Sequence, residues 1–167
     1  DISTILNHIK VIAGNEKLHS GKDQYGYLLD YMAHLVQFPG ELPKVAIVFQ
    51  GPQGTGKSMF WTLFGHKVLG EDYYFQTTHI DDVVGKFANT AKRLLIIMDE
   101  ASGTDTFLKN DKIKGKITEV KDRLERKGKD PIVIDNYARN IFITNNRVCV
   151  KIELDDRRFV VCRVLSE

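Results

Sequence analysis

The sequence predicts an α/β fold in which a parallel sheet of about five strands carries helices on its faces and a β-hairpin insertion. Three observations predict it. Val45-Ala46-Ile47-Val48-Phe49 and Leu94-Leu95-Ile96-Ile97-Met98 are continuous apolar runs, the pattern of strands buried on both faces. Stretches with helical spacing separate several such runs. A glycine-rich segment, Gly51–Ser58, follows the first run and opens a helical stretch.

Taken in order, Ile2–Ile12 and Tyr25–Phe38 place apolar residues at helical spacing (Tyr27, Leu28, Tyr31 and Leu35 in the second), so residues 1–40 form an N-terminal helical segment. Pro39-Gly40 and Pro43 stop the second helix, and residues 41–167 form the main domain. Strands are expected at Val45–Phe49, Tyr73–Thr77 (the weakest), Arg93–Met98, Asn140–Thr144 and Phe159–Val164, with helices at Lys57–Leu69 and Ile80–Phe87. Between Arg123 and Tyr137, Lys127-Gly128-Lys129-Asp130-Pro131 is turn chemistry followed by strand-like Ile132-Val133-Ile134. This reads as a hairpin with a basic tip just before the Asn140–Thr144 strand.

Composition narrows the class without naming a function. The 167 residues suit one domain with a real core, and 43% hydrophobic content is ordinary for a globular chain. No apolar run approaches the roughly 20 residues of a membrane span, and Asp1-Ile2-Ser3-Thr4 lacks the features of a signal peptide, so no membrane or secretory role is expected. The chain starts without Met, as a piece of a longer protein would. Cys149 and Cys162 lie far apart without CxxC spacing, which argues against a disulfide framework or zinc site and for a reducing, cytoplasmic or host-cell replication compartment. Net charge is only +2, yet Lys109–Lys129 holds nine Lys or Arg against four Asp or Glu; a solvated helix face is the plain explanation of such a run.

Gly51-Pro52-Gln53-Gly54-Thr55-Gly56-Lys57-Ser58 fits GxxxxGK[ST] in full, in the strand–turn–helix context a phosphate-binding loop requires. The glycines let backbone N–H groups turn inward at a helix N-terminus, Lys57 reaches the β- and γ-phosphates, and the Ser58 hydroxyl takes a place on Mg²⁺. Asp99-Glu100 ends a buried strand, where ligands of open α/β sheets sit. Asp99 is the expected metal ligand and Glu100 the residue that orients and deprotonates the attacking water; acids at a helix start are the alternative. Ile141-Phe142-Ile143-Thr144-Asn145-Asn146 is a strand ending in amides that can meet the γ-phosphate or simply make a turn. In Asp155-Asp156-Arg157-Arg158-Phe159, an arginine can stabilise transition-state charge in trans, or belong to a surface salt-bridge cluster.

The series GPQGTGKS, LLIIMDE, ITNN and DDRRF resembles, in order and spacing, a superfamily 3 helicase, a compact P-loop NTPase of the AAA+/ASCE type. Val36-Gln37-Phe38-Pro39-Gly40 ahead of Val45–Ser58, with the later Arg126-Lys127-Gly128, is similar to the helicase part of phage and large-DNA-virus primase–helicases; the resemblance covers roughly residues 25–165. It implies ATP and Mg²⁺ as cofactors, single-stranded DNA as partner and a homo-oligomer, a hexamer, with ATP between subunits. It assigns γ-phosphate sensing to Asn146 (Asn145 as fallback), the trans-acting finger to Arg158 (Arg157 as competitor) and DNA tracking to Lys129 with Lys127. No aromatic residue closely flanks those lysines, so phosphate contact is expected rather than base stacking. Two other readings remain open: an AAA+ adaptor that remodels a protein partner, and a small-molecule kinase, for which the Glu100 water-activating residue would be a handicap.

Overall fold

The computed structural model describes residues 1–18, 20–86, 88, 90–100, 108–146, 152–153 and 155–164. Two helices lead: α1 (Ile2–Ala13), capped by the Asp1 carboxylate, and α2 (Gln24–Gln37), whose N-cap Asp23 accepts from the Gly26 N–H at 2.6 Å. Then follow β1 (Ala46–Gln50), α3 (Lys57–Phe64), β2 (Tyr74–Thr77), the one-turn α4 (Asp81–Val84), β3 (Leu95–Met98), α5 (Asn110–Thr118), the hairpin strands β4 (Lys121–Arg126) and β5 (Lys129–Asp135), β6 (Arg139–Thr144) and β7 (Phe159–Arg163). Five strands form one parallel sheet in the order β2-β3-β6-β1-β7, as expected; β4 and β5 pair antiparallel with each other outside it.

The continuous apolar runs have a direct cause. Along a strand, successive side chains point to opposite faces, and here both faces are covered. Ile47, Phe49, Leu95, Ile97, Ile141 and Ile143 pack on one side against α1, α2 and α3 through Ile12, Leu28, Leu35 and Trp61. Val48, Ile96, Met98 and Phe142 pack on the other against Ile80 and Val83 near α4 and Ile113 and Ile117 of α5. The N-terminal helices thus share a core with the sheet. Arg139, 1% exposed, fastens the end of α2 and the loop after it to the sheet. Its guanidinium donates to the carbonyls of Phe38, Pro39, Glu41 and Tyr137 at 2.7–3.1 Å and meets His34 Nδ1 at 2.9 Å.

Three elements differ from expectation. The helix expected over Lys57–Leu69 is α-helical only to Phe64 and continues as a π-turn over Gly65–Leu69. There the Tyr74 ring packs so closely that a Cβ on Gly65 would lie 2.6 Å from it. The helix expected over Ile80–Phe87 is a single turn closed by Gly85, and Phe87 lies outside the described residues. The hairpin turn is Lys127-Gly128 alone, closed by Gly128 at φ 73°, so Lys129, Asp130 and Pro131 belong to β5. The first part of the basic segment is helix α5, which buries Ile113 and Ile117 one turn apart. No helix among the described residues is long and apolar enough to cross a membrane.

Candidate active site

Parallel strands put all their C-terminal ends on one edge, and there the motifs converge. Gly51 N donates to Thr144 O at 3.1 Å, joining the ends of β1 and β6, and Asp99 N donates to Thr77 O at 2.9 Å beside β2. A cavity of about 380 Å³ opens on this edge, walled by residues 53–59, Asp99, Glu100 and residues 143–145.

Gly54 and Gly56 take left-handed backbone angles of φ 84° and 78°, which bend the loop ahead of α3. Gly51 faces Val164 so closely that a Cβ would lie 2.8 Å from its Cβ, and the Gly56 carbonyl meets His8 Nε2 of α1 at 3.3 Å. Lys57 is buried with its ammonium folded over the loop, donating to Gly51 O at 3.0 Å, Pro52 O at 2.5 Å and Thr55 Oγ1 at 2.9 Å. Burial holds its pKa below the ordinary lysine value, against the opposing charge of Asp99.

Ser58 Oγ donates to Asp99 Oδ1 at 2.9 Å, so the two residues assigned to the metal touch. Two oxygens side by side under a phosphate loop are hard donors suited to Mg²⁺, which takes few protein ligands and keeps phosphate and water around it. Among the described residues, no group of three or more His, Cys, Asp or Glu competes as a metal site. Glu100 sits at φ 55°, a left-handed angle costing a non-glycine residue about 1–3 kcal/mol, with its N–H donating to Asp99 Oδ1 at 3.0 Å. Glu100 is part of the cavity wall.

Sequence reasoning missed a supporting pair. Gln76 Nε2 of β2 donates to Asp99 Oδ2 at 3.1 Å, and the Thr62 hydroxyl of α3 lies 2.7 Å from Gln76 Oε1 and 2.8 Å from Ser58 O. The one hydroxyl proton serves either acceptor. The available signal was a glutamine interrupting the apolar side of the strand next to β3.

The remaining site expectations fall in three places. Asn145 and Thr144 line the cavity, whereas Asn146 is not part of its wall and uses its main chain, accepting from Gln50 Nε2 at 2.9 Å and donating to Thr144 Oγ1 at 3.0 Å. Of the two amides, Asn145, the fallback, is the one on the cavity wall. Arg158 lies at the start of β7: its carbonyl accepts from Ala46 N at 2.8 Å, so it sits at the sheet edge opposite the phosphate loop, roughly 13 Å of strand away. It cannot serve its own loop. Lys127 and Lys129 are exposed at the hairpin tip, while Lys121 and Lys116 are committed to Asp135 and Asp122. A smaller cavity of about 230 Å³ beneath the hairpin contains those committed lysines.

The chain is 28% identical over 141 residues to the DNA primase-polymerase of Nitratiruptor phage NrS-1, covering 81% of this chain and 19% of that protein. It also superposes on solved apo structures of the NrS-1 C-terminal region. One matches with a TM-score of 0.74 and 23% identity over 94% of this chain and 41% of the other; a second, the A form, gives 0.74 and 25% over 94% and 40%. The chain thus spans about a fifth of the phage protein and about two fifths of its solved C-terminal region. A family model described as a family of unknown function matches residues 49–158, two thirds of the sequence from β1 to the start of β7, and the chain belongs to that family, DUF5906.

Proposed function

We propose that this chain is the ATP-hydrolysing motor of a phage-type DNA replication protein, a helicase of the superfamily 3, AAA+ kind. The observation that carries the reading is the Ser58–Asp99 contact at the foot of a complete phosphate loop. The relationship to a phage primase-polymerase supports the replication context.

In this reading the N–H groups of residues 54–58 cradle the phosphates at the start of α3, and Lys57 exchanges its loop carbonyls for phosphate oxygens. Ser58 and Asp99 would hold Mg²⁺, which when bound would offset charge on the phosphates. Glu100 orients the attacking water and accepts its proton at the carboxylate. Asn145 faces the γ-phosphate across the cavity. An arginine of the Arg157–Arg158 pair completes a neighbouring subunit's site, since the pair lies far from its own loop. Lys127 and Lys129 hold the phosphates of single-stranded DNA.

The test is ATP hydrolysis by the longer protein with and without single-stranded DNA. DNA is expected to raise turnover and Lys57→Ala to abolish it. Lys127→Ala with Lys129→Ala is expected to remove the stimulation and to flatten the dependence of DNA affinity on salt, by about 0.7 in logarithmic slope for each phosphate no longer neutralised. Stimulation untouched by the hairpin variants supports an adaptor instead. A phosphorylated acceptor in place of free phosphate supports a kinase.

A further inference from the structure

The phosphate loop has a contact on its outer side that the proposed chemistry does not use. Gly56, at the start of α3, accepts at its carbonyl from Phe60 N–H at 3.0 Å and lies 3.3 Å from His8 Nε2 of α1. A carbonyl only accepts, so Nε2 carries the proton and donates. The imidazole fills the space a side chain at position 56 would need: a Cβ there would lie 2.5 Å from His8 Cε1. The ring also leans on Phe60, with centroids 6.1 Å apart and planes at 48°.

Peptide geometry sets what this contact does. In a trans peptide the C=O and N–H point in opposite directions. Bonds that draw the Gly56 carbonyl back along α3 therefore aim the Lys57 N–H forward, out of the helix start and into the loop. The Lys57 ammonium holds the loop through Gly51 O, Pro52 O and Thr55 Oγ1, and those bonds are given up when it turns to a phosphate. The His8 bond lies outside the cradle and survives that exchange. His8 is itself placed by neighbours of the loop. Ile9 and Ile12 bury α1 in the core, and Gly14, at φ 79°, sits so close to β7 that a Cβ would meet Arg163 O at 2.3 Å. Val164, just past β7, donates to Gln50 O at 2.8 Å, at the strand end from which the loop springs. The first turns of α1 are held less: Ile2 is 72% and Ile5 46% exposed, so this end of the helix opens most readily.

We propose that docking of α1 on the phosphate loop and binding of a nucleoside triphosphate favour one another, and that His8 is the positioning residue that couples them. The proposal rests on the reading of this cavity as a nucleotide site. A phosphate binds best to a loop whose Lys57 N–H is already aimed, so nucleotide affinity draws on the docked helix. Coupling is reciprocal, so bound nucleotide holds the helix down in turn. Whatever lifts α1 then lowers nucleotide affinity without entering the cavity.

The experiment titrates the full-length protein with a non-hydrolysable ATP analogue and Mg²⁺, and follows hydrogen exchange in α1 with and without the analogue. In the wild type, saturating analogue is expected to slow exchange of the α1 amides about 5-fold. His8→Phe keeps a ring against Phe60 and loses the donor. It is expected to weaken analogue binding about 5-fold, the worth of one hydrogen bond, and to abolish the added protection. His8→Gln offers an amide nitrogen in place of Nε2 and is expected to restore both to within about twofold of wild type. Wild-type affinity in His8→Phe overturns the coupling. So does exchange in α1 that is indifferent to nucleotide, or a His8→Gln protein no better than His8→Phe, which would leave the ring's packing as its whole role. A folded wild-type protein that takes up no analogue strikes instead at the nucleotide-site reading beneath, and the coupling falls with it.

Discussion

Asp99 receives hydrogen bonds from three directions: the Ser58 hydroxyl, the Gln76 amide and the Glu100 N–H. Each fixes the carboxylate toward the cavity, and a ligand held in one orientation binds a cation with less ordering cost. Gln76→Leu, which removes one of these bonds and keeps the side chain's bulk, is expected to weaken Mg²⁺-dependent nucleotide binding by about 10-fold, read by titration at varied Mg²⁺. A second carboxylate, Asp156, whose side chain is 1% exposed, shows opposing influences. Burial alone would raise its pKa, but Lys114 and the Arg158 N–H and guanidinium outweigh this and hold it below the usual aspartate range. A depressed carboxylate stabilises the fold above its unfolded pKa of about 3.9 and loses that contribution as pH falls through the lower folded value. Asp156→Asn is therefore expected to melt lower than wild type at pH 7, with the gap closing below about pH 4; a gap constant with pH contradicts this. Residues such as Lys57, Ser58 and Asp99 were legible in the sequence because contiguous motifs encode their geometry. Gln76 and Thr62 were not, since their role comes from two strands and a helix meeting in space.

Among elements, β1 and β3 were the most legible, for the reason their packing shows: a strand covered on both faces is mostly apolar, as Ala46–Phe49 and Leu95–Met98 are, whereas the equally buried β6 keeps Arg139, Asn140 and Thr144. The order of the strands was less readable. The runs mark where strands lie but not how they neighbour one another: β6, ended by the amides, lies between β1 and β3. The shift from α- to π-helix at Gly65 was hidden because it answers a tertiary contact with Tyr74 rather than a local preference. Helix α5 was obscured by its lysines, which hide a two-residue apolar seam, Ile113 and Ile117. The anchor at the end of α2 was equally invisible: Arg139 reads as the start of a strand, and only the fold shows four carbonyls and a histidine around its guanidinium. Arg139→Leu leaves those buried acceptors unpaired and is expected to cost about 2–4 kcal/mol, a fall in Tm of roughly 5–15 °C by thermal unfolding. A melt within about 2 °C of wild type would show that water replaces the guanidinium at no cost.

At the scale of the whole molecule, the sheet separates two kinds of chemistry. The C-terminal edge gathers the glycine loop, Asp99, Glu100 and Asn145 around one cavity. The opposite edge carries the arginine pair, and beside it the hairpin with its exposed tip lysines stands outside the sheet. A single subunit cannot bring the two edges together, which is why the proposed activity belongs to an assembly. All of it depends on a triphosphate occupying the cavity above Lys57. Calorimetric titration with a non-hydrolysable ATP analogue and Mg²⁺ tests this most directly. One site per chain is expected in the wild type, lost or weakened at least about 100-fold in Lys57→Ala and weakened when Mg²⁺ is withdrawn. Absence of uptake by a folded wild-type chain, or equal binding by Lys57→Ala, would contradict it.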